Sequence, residues 1–116
     1  MGRLFAILAL GAAGACEPAW SVQGHVRGAT DGGGLRGAAV SLRCPGQQDL
    51  STTTDHDGLF ELGGRGPGPS LDCSVSLAAP AFAPARVSLA EACEDARDDL
   101  PGHCEVAMVE AELRRR

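Results

Sequence analysis

Tyrosine and lysine are absent from these 116 residues, and only one tryptophan and three phenylalanines occur. A core with so few rings has to be built from small and branched aliphatic side chains. A carbohydrate site, which normally uses exposed aromatics, has only Trp20, Phe60 and Phe82 outside the N-terminal segment to draw on. No apolar run approaches the roughly 20 residues needed to cross a bilayer as a helix; Leu4 to Ala15 spans only 12. Basic charge is also in short supply, with 10 arginines against 15 Asp and Glu and a net charge of −5. That balance excludes a nucleic-acid partner as an expectation. Neither a Cys-x-x-Cys pair nor a Gly-x-Ser-x-Gly elbow is present, so the common zinc and serine-hydrolase frames are missing.

What is present describes one small, turn-rich, exported domain. The chain is 44% hydrophobic and 22% charged, with 16 glycines and 7 prolines, a globular composition that favours turns over long helices. Residues 1–16 have the layout of a secretory signal: Arg3, the apolar run Leu4 to Leu10, then the small residues Gly11 to Ala15. Ala13-Gly14-Ala15 suits ordinary signal peptidase. Ala13-Gly14-Ala15-Cys16 is similar to a bacterial lipobox, with Ala13 where leucine is usual. The lone cysteine at the boundary favours the second reading, in which Cys16 carries the lipid and ties the chain to a membrane without a protein span.

Setting Cys16 aside, Cys44, Cys73, Cys93 and Cys104 form an even set in an exported chain, which reads as two disulfides. Three pairings are open on the count alone. A zinc site is the weaker account, because His103 beside Cys104 has no matching second pair.

Period-two alternation marks most of the remaining chain. Ser21 to Arg27 places Val22 and Val26 on one face, with Gly24 between them as a site of close backbone approach. After the turn at Asp31 to Gly34, Ala38, Val40, Leu42 and Cys44 form a second alternating strand that Pro45-Gly46 stops. Leu50 to Thr54 and Gly58 to Leu62, separated by Asp55-His56-Asp57-Gly58, carry a hairpin signal. Leu71, Cys73, Val75 and Leu77 alternate again, and Arg86 to Leu89 reads as a brief strand. In the acidic stretch Glu91 to Asp99, apolar residues at helical spacing and a Ser88/Glu91 capping box suggest one short helix, opposed at its C-terminal end by Asp98 and Asp99. Glu105 to Leu113 closes the chain as a strand, with Ala107, Val109, Ala111 and Leu113 on one side and Glu110 and Glu112 on the other.

Three groups invite a chemical reading. Thr53-x-Asp55-x-Asp57-Gly58 is similar to the start of a calcium loop, but aligning its glycine puts Gly64 where a bidentate glutamate belongs. The favoured reading is a turn in which Asp55 accepts backbone hydrogen bonds, Gly58 has positive φ and Phe60 anchors the core. His25, His56 and His103 lack any framing motif for general-base catalysis. Glu91, Glu94, Asp95, Asp98 and Asp99 read as a solvated face, and Arg114 to Arg116 as a frayed tail rather than a lipid-binding patch.

The series Val22-Gln23-Gly24-His25-Val26, Gly37-Ala38-Ala39-Val40 and Thr54-Asp55-His56-Asp57-Gly58-Leu59-Phe60 resembles the carboxypeptidase regulatory-like domain over about Ser21 to Leu89. Ala81-Phe82 stands where that family commonly has Gly-Tyr, and the segment between Cys93 and Cys104 reads as an insertion. The resemblance implies an all-β, seven-stranded Greek-key sandwich of the transthyretin-like kind, in which the second and fifth strands are antiparallel neighbours. That arrangement places Cys44 beside Cys73 and leaves Cys93 for Cys104. The transthyretin-like 5-hydroxyisourate hydrolases share this architecture but end in Tyr-Arg-Gly-Ser, whereas this chain ends Leu113-Arg114-Arg115-Arg116.

The expected organisation is a signal segment (1–16), a short linker (17–20), a sandwich (21–113) and a basic tail (114–116). The expected role is a non-catalytic cell-envelope module with a protein partner, tied to a membrane through Cys16 and using no cofactor or metal. A soluble secreted carbohydrate- or metal-binding domain is the alternative, with a small transthyretin-like hydrolase behind it.

Overall fold

Alternating apolar residues on a strand need a second layer to cover them, and here two four-stranded sheets cover each other. The computed structural model describes residues 19–30 and 32–116, so the expected signal segment, the expected lipid site Cys16 and Asp31 lie outside the described residues. In chain order the elements are β1 (Ala19–Gly28), β2 (Ala39–Arg43), β3 (Leu50–Thr53), β4 (Leu59–Arg65), β5 (Ser74–Ala78), β6 (Ala85–Ser88), α1 (Leu89–Ala92), β7 (Cys93–Ala96) and β8 (Cys104–Leu113). One sheet has the order β4-β1-β8-β7 and the other β3-β2-β5-β6.

β1 turns Val22, Gly24 and Val26 inward and Gln23, His25 and Arg27 outward. The parallel strand β8 supplies Ala107, Val109, Ala111 and Leu113 to the same interior. From the facing sheet come Val40 and Leu42 of β2, and Val75 and Leu77 of β5. Phe60 inserts between the layers as expected, 6% exposed. A side chain at Gly24 would collide with the Phe60 ring and the Val109 carbonyl, the close approach expected of that glycine.

The disulfides pair Cys44 with Cys73 and Cys93 with Cys104, as the family resemblance implied. The first closes the end of the antiparallel β2–β5 ladder, one step beyond Arg43 and Ser74. Its Cα atoms are 4.3 Å apart.

Four expectations need correction. The Leu50–Thr54 and Gly58–Leu62 segments do not make a hairpin: β3 pairs with β2 in one sheet and β4 with β1 in the other. The turn between them is local chemistry common to both outcomes, and the partner strands decide between them. The sandwich has eight strands, not seven, because Cys93–Ala96 is an edge strand on β8 rather than an inserted loop. The helix is a single turn, as the opposing Asp98 and Asp99 imply, but it lies at Leu89–Ala92, ahead of most of the acidic stretch, and the Ser88 side chain makes no capping bond. The arginine tail does not fray: Arg114 and Arg116 exchange backbone hydrogen bonds with Ala83 and Ala81, and the Arg115 guanidinium lies 5.0 Å from the Phe82 ring centroid.

Strand direction assigns two ends to the sandwich. β1 and β8 run together from Ser21 beside Val106 to Gly28 beside Leu113. The chain therefore enters at one end, with Trp20, the 44–49 and 66–73 loops and residues 97–103. It leaves at the other, with the Asp55–Gly58 corner and Arg114–Arg116.

Candidate functional site

The Asp55–Gly58 corner shows what its carboxylates do. One Asp55 carboxylate oxygen accepts N–H bonds from Asp57 and Leu59, each at 2.9 Å, and Gly58 takes φ 83°. Those two hydrogen bonds, from Leu59 first and Asp57 second, hold the Asp55 carboxyl below its ordinary value. Asp55, His56 and Asp57 bring their polar atoms together in an exposed group. His56 pairs with the Asp57 carboxylate at 3.3 Å. The corner is thus an Asx-type turn that carries the chain from one sheet to the other.

The three histidines sit on separate elements. His25 donates its Nε2–H to the Asp57 carbonyl at 3.0 Å, fastening β1 to the corner. His103 donates Nδ1–H to the Gly68 carbonyl at 2.9 Å, joining two loops at the entry end. Among the described residues no histidine hydrogen-bonds a serine or threonine hydroxyl, although Ser70 and His103 are neighbours across an isolated bridge.

The acidic residues Glu91, Glu94, Asp95, Asp98 and Asp99 are all exposed, as a solvated face requires. Asp99 is held below its ordinary value by a hydrogen bond from Arg97, at 2.8 Å. Of the aromatics, Phe60 is core, Trp20 is half-buried, and half-buried Phe82 is covered by Arg115. Phe60 and Phe82 therefore offer no open ring face of the kind a sugar stacks on.

Two surface features were not singled out from the sequence. On the outer face of β4-β1-β8, Leu59 is 48% and Met108 41% exposed. They flank Gln23 and His25, with Glu61 and Glu110 beside them, around a shallow depression of about 360 Å³. The outward row of β8 reads Val106, Met108, Glu110 and Glu112, and its apolar first half was the available signal. Arg27 reaches Glu110 at 3.9 Å and Glu112 at 3.8 Å on the same face. The second feature is the mouth between the sheets at the entry end, a cleft of about 250 Å³ with Trp20, Leu42 and Leu50 inside and Arg65, Gln47 and Pro67 at its rim.

No family model matches this chain, and no curated protein does, so the carboxypeptidase regulatory-like resemblance has no family match behind it. Solved structures do match the fold. The chain is similar to part of the group B streptococcus pilus 2b backbone protein, with TM-score 0.53 and 16% identity over 83% of this chain and 41% of that one. It is also similar to part of the Bacillus anthracis TIE protein, with TM-score 0.55 and 9% identity over 84% of this chain and 17% of that one. In each case the chain spans less than half the length of the neighbour. The likeness is one of fold alone.

Proposed function

We propose that this chain is a non-catalytic, exported cell-envelope module that makes protein contacts and is tied to a membrane through a lipid on Cys16. The observation that carries the protein-contact reading is the outer face of β4-β1-β8. There Leu59 and Met108 stand exposed among Gln23, His25, Glu61 and Glu110 on rigid strands, a mixture of apolar anchors and polar rim suited to a protein partner. The two disulfides support export, since such bonds persist in oxidising compartments. A pilus backbone protein with a similar fold is compatible with a surface role. The carboxypeptidase regulatory-like resemblance over Ser21 to Leu89 belongs to the same reading.

The test is the intact mass of protein isolated from its native host, before and after reduction. A chain beginning at Cys16 with acyl chains attached, gaining about 4 Da on reduction as two disulfides require, is the expected result. An unacylated chain with Cys16 joined to another molecule makes it a soluble secreted protein and removes the anchor. For the contact face, a Leu59→Ser, Met108→Ser double variant that still folds is expected to lose partner binding.

A further inference from the structure

We infer that the entry end of the sandwich, with Trp20 and Leu50 at its mouth, rests against the lipid headgroups, so that the domain stands end-on on the membrane. This rests on the lipid-anchor reading of Cys16 and adds an orientation to it.

The first argument is reach. Trp20 is four residue steps beyond Cys16, which span at most about 14 Å when fully extended. The headgroup layer of one leaflet is itself roughly 5–7 Å deep. A lipid on Cys16 therefore holds this end within about 7–9 Å of the headgroup surface, because only residues 17–19 lie between them.

The second argument is what that end presents. Trp20 continues the inward-facing row of β1 beyond Val22, where the sheets part, so its ring is half-buried at the mouth. Across the mouth Leu50, the first residue of β3, is 45% exposed, and Pro67 is exposed on the adjoining loop. An indole with one side in protein and the other open, beside an exposed leucine and a proline, is the composition favoured at a membrane interface.

The described charges at this end are Arg43, Arg65 and Arg97 against Asp49, Asp72, Asp98, Asp99 and Glu105, so acids are in excess and anionic lipid is not attracted; Arg43 pairs with Asp49 at 3.3 Å and Arg97 with Asp99 at 2.8 Å. Contact then depends on Trp20 and Leu50, not on anionic lipid. The three terminal arginines are at the opposite end, because β8 runs parallel to β1 and ends beside Gly28. Nine strand steps separate the two ends, about 30 Å, so the tail does not touch a membrane that holds Cys16. The same parallel pairing leaves the Leu59/Met108 face standing perpendicular to the membrane, open to a partner from the side.

Trp20 is the only tryptophan in the sequence, so indole emission reports this one position. Full-length chain, exported and acylated in a lipoprotein-processing host, is reconstituted into phosphatidylcholine vesicles whose acyl chains carry bromine near the headgroup. The expected result is a blue shift and about a twofold loss of Trp20 emission relative to unbrominated vesicles, as for an interfacial indole. Added phosphatidylglycerol is expected not to increase that loss, since acidic side chains are in excess at this end. The control is a Trp20→Phe, Phe82→Trp variant, which moves the reporter to the far end and is expected to show no quenching. Vesicle flotation with unquenched Trp20 overturns the orientation and leaves the anchor standing. Quenching at both positions overturns it too, because the domain then lies flat. Absence of acyl mass and of flotation overturns anchor and orientation together.

Discussion

Thr54 and Leu35 are joined through a buried hydroxyl: the Thr54 Oγ1 donates to the Leu35 carbonyl while accepting the Ala38 N–H at 2.8 Å. Thr54 is 4% exposed and is the buried polar side chain among the described residues. One hydroxyl thereby satisfies both groups of the loop that delivers the chain into β2. Thr54→Val keeps the shape but leaves a buried N–H and C=O without partners, and is expected to cost about 2–4 kcal/mol. Thr54→Ser is expected to recover most of that, as measured by urea denaturation.

Gly24 and Phe60 compete for one volume, since a Cβ on Gly24 would meet the Phe60 ring and the Val109 carbonyl. Gly24→Ala is expected to destabilise the fold by about 1–3 kcal/mol through overpacking. Trimming the ring with Phe60→Leu should relieve only part of this, because the Val109 backbone stays in place. A double-mutant cycle over the two positions is expected to show coupling; strict additivity would mean that they do not share space.

Among the described residues Ala81 is the non-glycine residue with positive φ, at 69°, in the Ala79–Phe82 turn. It stands where the carboxypeptidase regulatory-like pattern has glycine, and an L-residue in that conformation is disfavoured by about 1 kcal/mol. Ala81→Gly is therefore expected to raise stability by up to about 1 kcal/mol, offset in part by the added freedom of the unfolded chain. A lower thermal midpoint for Ala81→Gly would contradict the strain argument.

Asp55 should make stability depend on pH in a defined window. Its carboxyl is held below the ordinary value by the Leu59 and Asp57 N–H groups. A depressed folded-state pKa means that the stabilisation is present above the unfolded value, near 3.9, and is lost as pH falls through the folded value below it. Urea midpoints of the parent are expected to drop through this range. Those of Asp55→Asn should start lower at neutral pH and fall less on acidification. Equal slopes below pH 4 would show that other carboxylates carry the effect.

The two disulfides are expected to differ in worth through the loops they close. Cys44 and Cys73 are separated by 29 positions and Cys93 and Cys104 by 11. Chain-entropy reasoning assigns about 3.5 and about 3 kcal/mol respectively. Paired Cys→Ser replacement of each bridge, followed by denaturation, tests both values. Loss of the Cys93–Cys104 bridge carries an additional expected signature, faster amide exchange in β7, because that edge strand is short and irregularly paired.

Much of the candidate surface was legible only in part. The Asp55–Gly58 corner was readable because an Asx turn is built from its own residues. So was the commitment of Phe60 to the core, which needs only its place after that turn. The cleft around Trp20 was not readable, since it forms from residues of β1, β2, β3 and the 66–70 loop that meet only when the sheets pack. Cys93–Ala96 gave no strand signal either. Its four residues, Cys-Glu-Asp-Ala, lack alternation, and their extended conformation is imposed by the ladder to β8 and the bridge to Cys104.

By itself the sequence determined the all-β character, the inward residues of β1, β2, β5 and β8, and the turn chemistry at Asp55 and Gly58. Each of these follows from spacing within a few residues. Only the tertiary structure decided that β3 and β4 part into different sheets, that β7 is an eighth strand, and that Arg114–Arg116 end far from Trp20. The physical reason is the same in all three cases: strand partners are chosen by which edges are free and which faces need covering. That choice depends on residues distant in the chain, and no local pattern encodes it.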